Sequence, residues 1–261
     1  MKFGINTLRW TNDFDLELIP PLAEIRRWGF DGVEITRRNL TGFPARILRE
    51  TARNEGLDLT FCTSLPAGLS LVSADDAVRA DALDYAERAI EVAAELGSPV
   101  LAGPFFSNGV NGDEDAWRRA VEAMQILTAT LRACDVTLAV EPQNRYQASF
   151  ITTCAEAVQL CRAVHDPYLG VTFDTFHANI EESQPAAALA GLEQHLAHVH
   201  VAENHRGMPG TGHLPWIDHF VALQENHYGG WVVVEAFTGE PDAGLRHLRN
   251  VMAATNAVLV R

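Results

Sequence analysis

The feature that most narrows the folds open to this chain is an alternation, repeated eight times, of a short apolar run with a longer amphipathic segment. The runs are Phe3 to Thr7, Gly32 to Ile35, Leu57 to Cys62, Pro99 to Gly103, Val136 to Val140, Leu169 to Phe173, His198 to Val201 and Trp231 to Val234. Their length and their Val, Ile, Leu and Phe content suit strands. Segments such as Asp75 to Leu96 instead place Val78, Leu83, Ala86, Ile90, Ala93 and Leu96 at three- and four-residue steps, the spacing of one helix face. Helix starts are predicted at Asp15, Ser73 and Asp113, and helix ends at Gly29, Gly56 and Gly97. Strand and helix in alternation specify a parallel sheet covered by helices. Eight such units in 261 residues match the size of one (β/α)8 barrel. The expected fold class is therefore α/β, a single (β/α)8 barrel over residues 1–261 with no internal domain boundary.

Charge and cysteine usage exclude several function classes. A formal charge of −14 opposes a nucleic-acid backbone or an anionic membrane surface, which call for clustered Lys and Arg. No apolar run is long enough to span a bilayer, and Asp13 and Asp15 interrupt the N-terminal segment before a signal-length stretch develops. The expectation is a soluble, cytoplasmic protein with neither nucleic acid nor membrane as partner. Cys62, Cys134, Cys154 and Cys161 form no C-x-x-C pair and too sparse a set for a disulfide framework, so they are expected as buried free thiols.

In a barrel of parallel strands, chemistry gathers where the strands end, because eight strand ends converge on one mouth. The fifth run leads directly into Glu141, the sixth into Asp174, the seventh holds His198 and His200, and the eighth leads into Glu235. A lone carboxylate at a strand end is ordinarily a cap or a solvated charge. Four consecutive strands delivering Glu, Asp, His and Glu to one rim is a different matter. Three carboxylates and an imidazole suit one Mn2+, Co2+ or Mg2+ ion better than a structural zinc, which favours thiolates.

The segments around these residues are Glu141-Pro-Gln-Asn-Arg-Tyr146, Phe173-Asp-Thr-Phe-His-Ala-Asn-Ile-Glu-Glu182, His198-Val-His-Val-Ala-Glu-Asn-His-Arg206 with Pro209-Gly210-x-Gly212, and Val234-Glu235. In order and spacing they resemble the metal-ligand motifs of the xylose-isomerase-like TIM barrels, and within these the D-tagatose/D-psicose (ketose) 3-epimerases. The resemblance implies that Glu141, Asp174, His200 and Glu235 bind one divalent metal, Mn2+ first among the candidates. It implies that His177 and Arg206 hold the sugar's oxygens near C1 to C3, and that Glu34, in a segment like the superfamily's second strand, lines the pocket. It also implies a keto-sugar substrate and a homodimer or homotetramer. Two positions depart from the family pattern. Gln147 stands where a substrate-contacting glutamate is usual, keeping hydrogen-bonding capacity without charge. The loop after the fourth run, Pro104 to Gly109, lacks the expected tryptophan, whose place Phe105 or Phe106 is expected to take.

Epimerisation beside a ketone removes a proton from carbon and returns one to the opposite face through an enediolate. A metal acts on the oxygens as a Lewis acid, and two carboxylates alternate as base and acid. Glu141 and Glu235 are the expected pair, lying across the mouth from each other. Competing readings are an aldose–ketose, hydroxypyruvate- or inosose-type isomerase, a non-catalytic sugar-binding barrel, and a phosphodiesterase built on Asp174-x-x-His177. The last needs further histidines at early strand ends, where Cys62-Thr63-Ser64 and Gly103-Pro104-Phe105 supply none.

Overall fold

In the computed structural model, which describes residues 1–106 and 115–259, each predicted run forms a strand and the sheet closes on itself. The strands are β1 Lys2–Asn6, β2 Gly32–Thr36, β3 Asp58–Cys62, β4 Val100–Gly103, β5 Thr137–Val140, β6 Leu169–Asp174, β7 Leu196–Val201 and β8 Trp231–Val234. Neighbours pair in parallel in chain order, and β1 closes the barrel on β8 with Ile5 opposite Val234. The helices are α1 Leu22–Trp28, α2 Ala45–Asn54, α3 Asp76–Leu96, α4 Ala116–Cys134, α5 Cys154–Val164, α6 Thr175–Glu181, α7 Pro185–Ala190, α8 Trp216–Glu225 and α9 Pro241–Leu259. At least one helix follows every strand, and two follow β6.

The strands are buried along nearly their whole length because side chains face both the barrel interior and the surrounding helices. Phe30, Phe61, Phe173 and Phe220 are among the fully enclosed rings, each stabilising the fold by about 1.5–3 kcal/mol relative to exposure. The helical face read from Asp75 to Leu96 is the packed one: Ala82, Ala86, Ala89, Ile90, Val92, Ala93 and Leu96 of α3 are buried. No helix among the described residues is long and apolar enough to cross a membrane.

Several strand ends lie one residue from expectation, and three boundaries differ by more. Strand β7 starts two residues early, at Leu196, because the register shifts between Val171 and Thr172 of β6, which pair with Leu196 and His198 and leave Ala197 as an extra residue. Helix α3 is capped by Asp75, whose Oδ1 accepts from the Ala77 N–H at 2.8 Å, whereas Ser73 caps the Asp75 N–H at 3.1 Å. Asp15 caps a single 3-10 turn, Leu16–Leu18, and α1 begins only after Pro20 and Pro21. Gly29 and Gly97 end α1 and α3 in the left-handed conformation, as read from sequence. Asp113, and Ser107 to Gly109 of the loop after β4, lie outside the described residues. All four cysteines are free, with Cys62, Cys154 and Cys161 buried; Cys134 is only half-buried, a correction to its expected burial.

The end of β4 shows how closely the mouth is packed. Gly103 has φ +138°, and a Cβ built there would lie 2.0 Å from the Thr63 carbonyl oxygen. Neither the conformation nor the space admits a side chain. Gly103→Ala is expected to destabilise the protein by roughly 3 kcal/mol or more, measured as a lower midpoint in urea unfolding; an unchanged midpoint would show that β3 and β4 can part without loss.

Candidate active site

The barrel delivers its polar side chains to one end by simple register. Asp174 closes β6 directly beside His200 on β7, its register partner. Strand-like hydrogen bonds continue one residue past β5 and β8, where the Glu141 N–H donates to the Gly103 carbonyl at 3.1 Å and the Glu235 N–H to Val201 at 3.0 Å. Both glutamates therefore leave the sheet at its rim and turn inward. Glu141, Asp174, His200 and Glu235 are all buried, and one donor atom from each lies within 4.8 Å of the others. The two glutamates come from strands three apart, yet both reach the same imidazole: His200 Nδ1 is 2.7 Å from Glu141 Oε1 and 3.6 Å from Glu235 Oε2.

Beneath this cluster lies Glu34, fully buried on β2. Its Oε1 is 2.7 Å from His200 Nε2 and accepts from Asn6 Nδ2 at 2.8 Å. Its Oε2 is 2.7 Å from His198 Nε2 and accepts from Thr60 Oγ1 at 3.1 Å. Glu34 thus faces the underside of His200 and is not among the residues lining the cavity. A carboxylate behind an imidazole fixes the ring's orientation and leaves the opposite nitrogen free as a ligand. His198, two residues before His200 on the same strand face, completes this support, a role that its spacing alone does not reveal.

Arg206 and His177 line the cavity with Glu141, Glu235 and Gln147. Arg206 adopts φ +60°, and its guanidinium bridges Asp174 Oδ2 at 2.8 Å and Glu235 Oε2 over the ring of Phe176. The Asn144 backbone N–H points at His177 Nδ1 at 3.3 Å, so Nδ1 accepts and the neutral ring carries its proton on Nε2. That nitrogen is 3.7 Å from Asp174 Oδ2. Gln147 is exposed at the rim and accepts from Gln143 Nε2 at 3.3 Å. Arg145 turns away to a two-pronged pair with Glu181, both contacts 2.9 Å. Phe105 and Phe106 do not take the missing tryptophan's place: both are core side chains, with Phe106 edge-on to Phe150. The cavity's aromatic faces come instead from Phe176 and Phe237.

Electrostatics follow from gathering like charges out of water. Burial, together with Glu141 and Asp174, pushes the Glu235 carboxyl up to about 8 against the pull of Arg206 and His200. Burial also works against ionised Asp174, but the Arg206 guanidinium first, then His200, outweigh it and hold this group at about 2. Burial opposes a charged His200, yet Glu34, Glu235 and Glu141 raise its pKa well above the ordinary value. For Glu34, burial is overcome by His200 and His198, and the carboxyl is held far below its usual range. Three carboxylates and one imidazole form a donor set suited to one divalent ion. Glu34, Cys62 and His200 also lie within reach of one another. Burial and the nearby glutamates push the Cys62 thiol well above its ordinary pKa, however, so it stays protonated and is a poor ligand.

Glu203, another fully buried carboxylate, escaped the sequence reading although it sits inside a quoted motif. Its Oε1 accepts from Trp216 Nε1 and the Gly210 N–H, both at 2.7 Å, and its Oε2 accepts from the Leu214 N–H at 3.2 Å. It ties down the loop that carries Arg206. A Cβ on Gly212 would sit 2.5 Å from Glu203 Oε2, which accounts for the second glycine of Pro209-Gly210-x-Gly212. A buried acid three residues after His200 whose partners are mostly backbone groups leaves no trace in spacing.

Comparison with known proteins agrees with this fold. Residues 22–255 match the family model described as Xylose isomerase-like TIM barrel. The chain is 35% identical to a probable ketose 3-epimerase of Synechocystis sp., over 99% of this chain and 93% of the relative. It is 31% identical to a D-psicose 3-epimerase of Enterocloster bolteae, over 91% and 82%. Among solved structures, an L-ribulose 3-epimerase superposes with a TM-score of 0.89 at 25% identity, covering 99% of this chain and 97% of that one. A D-psicose 3-epimerase crystallised in the presence of D-fructose gives 0.84 at 26% identity, covering 99% of each.

Two outcomes follow. Burial works against an ionised Glu203, but the Trp216 indole and backbone N–H groups hold its pKa below the usual value. A depressed folded-state pKa gives stability that is present above the unfolded value and lost as pH falls through the folded one. Glu203→Gln should therefore unfold about 1–3 kcal/mol more easily at pH 7, and its deficit relative to wild type should shrink below about pH 4.5; a deficit independent of pH would reject the charged anchor. Second, Mn2+ at about one hundred times its Kd should stabilise the protein by about 2.7 kcal/mol, seen as a rise in Tm. Asp174→Asn should lose most of that rise, and full retention would place the ion elsewhere.

Proposed function

From the chain's membership of the xylose isomerase-like TIM-barrel family, we propose that it is a divalent-metal-dependent ketose 3-epimerase. The observation that carries this reading is the convergence of Glu141, Asp174, His200 and Glu235 within 4.8 Å, on a cavity that His177 and Arg206 also line. Glu141, Asp174, His200 and Glu235 hold the ion, through Nδ1 in the case of His200, and Mn2+ is our choice of metal. When bound, the ion supplies Lewis-acid polarisation of the ketone and lowers the cost of negative charge on the adjacent oxygens.

The residues then divide the work. One of Glu141 and Glu235 takes the proton from C3, and the C3–H electron pair moves into the C2–C3 bond as the ketone becomes an enediolate. The other glutamate returns a proton to the opposite face of C3. Each carboxylate serves as base for one epimer and as acid for the other. His177 donates from Nε2, and Arg206 from its terminal nitrogens, to the oxygens on which charge develops. Gln147, at the cavity rim, offers the sugar a neutral hydrogen-bonding partner. Glu34 acts through His200, holding its ring in the ligating orientation. The chain's acidic charge and the small cavity, lined by hydrogen-bonding groups such as His177, Arg206 and Gln147, suit a free sugar and not a nucleic acid.

In deuterated water with Mn2+, a ketose substrate should acquire deuterium at C3 alongside its C3 epimer. Deuterium confined to C1 or C2, with an aldose product, would instead establish the aldose–ketose isomerase reading. Glu141→Gln and Glu235→Gln should each lower kcat by about 10²–10⁴, measured with metal content matched to wild type. Full turnover by either metal-loaded variant would overturn the two-glutamate mechanism.

A further inference from the structure

Two cavities meet at the barrel mouth, and the chemistry above uses only the smaller. The catalytic cavity, about 280 Å3, is two-sided. Glu141, His177, Arg206 and Glu235 come from the β5–β8 side, while Thr36, Arg38, Thr63 and Ser64 face them from the β2–β3 side. A substrate with its reacting carbons against the first group directs the rest of its chain toward the second. There Asn12 and Arg38, which line both cavities, stand at the border with an outer groove of about 770 Å3. Small-ligand sites range over roughly 300–1,000 Å3. The inner cavity is thus near the lower end, suited to one sugar, and the outer groove has space for a further unit of the same kind.

The outer groove offers hydrogen-bonding groups of both kinds. Asn12, Asn39 and Thr41 present donors and acceptors, and Tyr85 forms part of the wall. The Tyr85 hydroxyl donates to the Arg38 carbonyl at 2.9 Å and lies 2.8 Å from Thr63 Oγ1, which holds that wall in place. Arg38 bonds through Nε to Ser64 Oγ at 2.7 Å, with its terminal nitrogens in no ion pair among the described residues, so they remain donors at the junction. Arg88 is already matched by Glu91 at 2.9 Å and Glu95 at 3.1 Å. The Asp13 carboxylate shares the groove with Arg38, so an anionic substituent would meet a like charge there. Hydroxyl groups, which donate and accept, can use both residues.

We propose that this groove is a second sugar subsite, accepting a neutral glycosyl unit attached at the end of the ketose remote from C1 to C3. The proposal rests on the epimerase reading. Its test uses whichever free ketose shows the fastest C3 exchange with the Mn2+-loaded enzyme, together with that ketose's 6-O-glucosyl derivative and its 6-phosphate. Both the free and the glucosylated sugar should exchange at C3. Thr41→Trp, which fills the groove from an exposed position, should lower kcat/KM for the glucosylated sugar by about tenfold or more while changing the free ketose by less than about twofold. Asn39→Ala should act in the same direction by about threefold. Exchange of the free ketose without exchange of the glucosylated one would overturn the subsite and leave the epimerase reading standing. So would equal losses for both sugars in Thr41→Trp, or a loss confined to the 6-phosphate, which would mark an anion site. C3 exchange in none of the free ketoses tried would reject the epimerase reading and the subsite with it.

Discussion

Three carboxylates converge on one imidazole where the barrel strands end, all four side chains largely buried, and most features of the mouth answer to that concentration of negative charge. Like charges out of water repel strongly unless a cation or a proton separates them. Here Arg206 lies against Asp174 and Glu235, and His200 lies against Glu141 and Glu235. Even so, burial leaves the Glu235 carboxyl pushed up to about 8. A cluster with this excess of acceptors is suited to a divalent ion in a way that a set of neutral hydrogen-bonding residues would not be.

Holding such a cluster requires support from below and from the side. Below, Glu34 is locked between His198 and His200 and fixed by Asn6 and Thr60, so one imidazole orientation is selected within the barrel interior. At the side, Glu203 gathers the Trp216 indole and the backbone of the loop that carries Arg206. Neither glutamate lines the cavity. Both set the positions of residues that do, which is how a rigid scaffold gives precision to groups on loops. The arrangement also separates what the two ends of the mouth can do. The β5–β8 side is crowded with charge, while the β1–β3 side carries Asn12, Thr36, Thr63 and Ser64 and borders the outer groove.

Glu34 reads in sequence as a strand-end carboxylate, and nothing in its neighbours tells that it faces two histidines more than 160 positions away, because parallel strands bring distant segments together. Phe105 and Phe106 follow a strand, as a pocket aromatic would, but both turn into the core, and Phe237, three residues beyond β8, takes a place on the cavity instead. Ser73 and Asp75 are equally good caps by composition. Asp75 is chosen because its side chain stands where the first free N–H groups of α3 point.

What the chain determined by itself was periodicity and order. Eight apolar runs separated by amphipathic segments specify the barrel, since parallel strands must bury both faces and each needs a crossover helix to return the chain. Equivalent strand ends then require Glu141, Asp174, His200 and Glu235 to share one rim. Tertiary structure alone decided how close those groups come, which nitrogen of His200 faces them, that Arg206 reaches back over Phe176 to two of the carboxylates, and that the mouth extends beyond Arg38. These are distances between side chains from strands far apart in the chain. They depend on barrel closure and on the packing of the loops, quantities that local sequence does not carry.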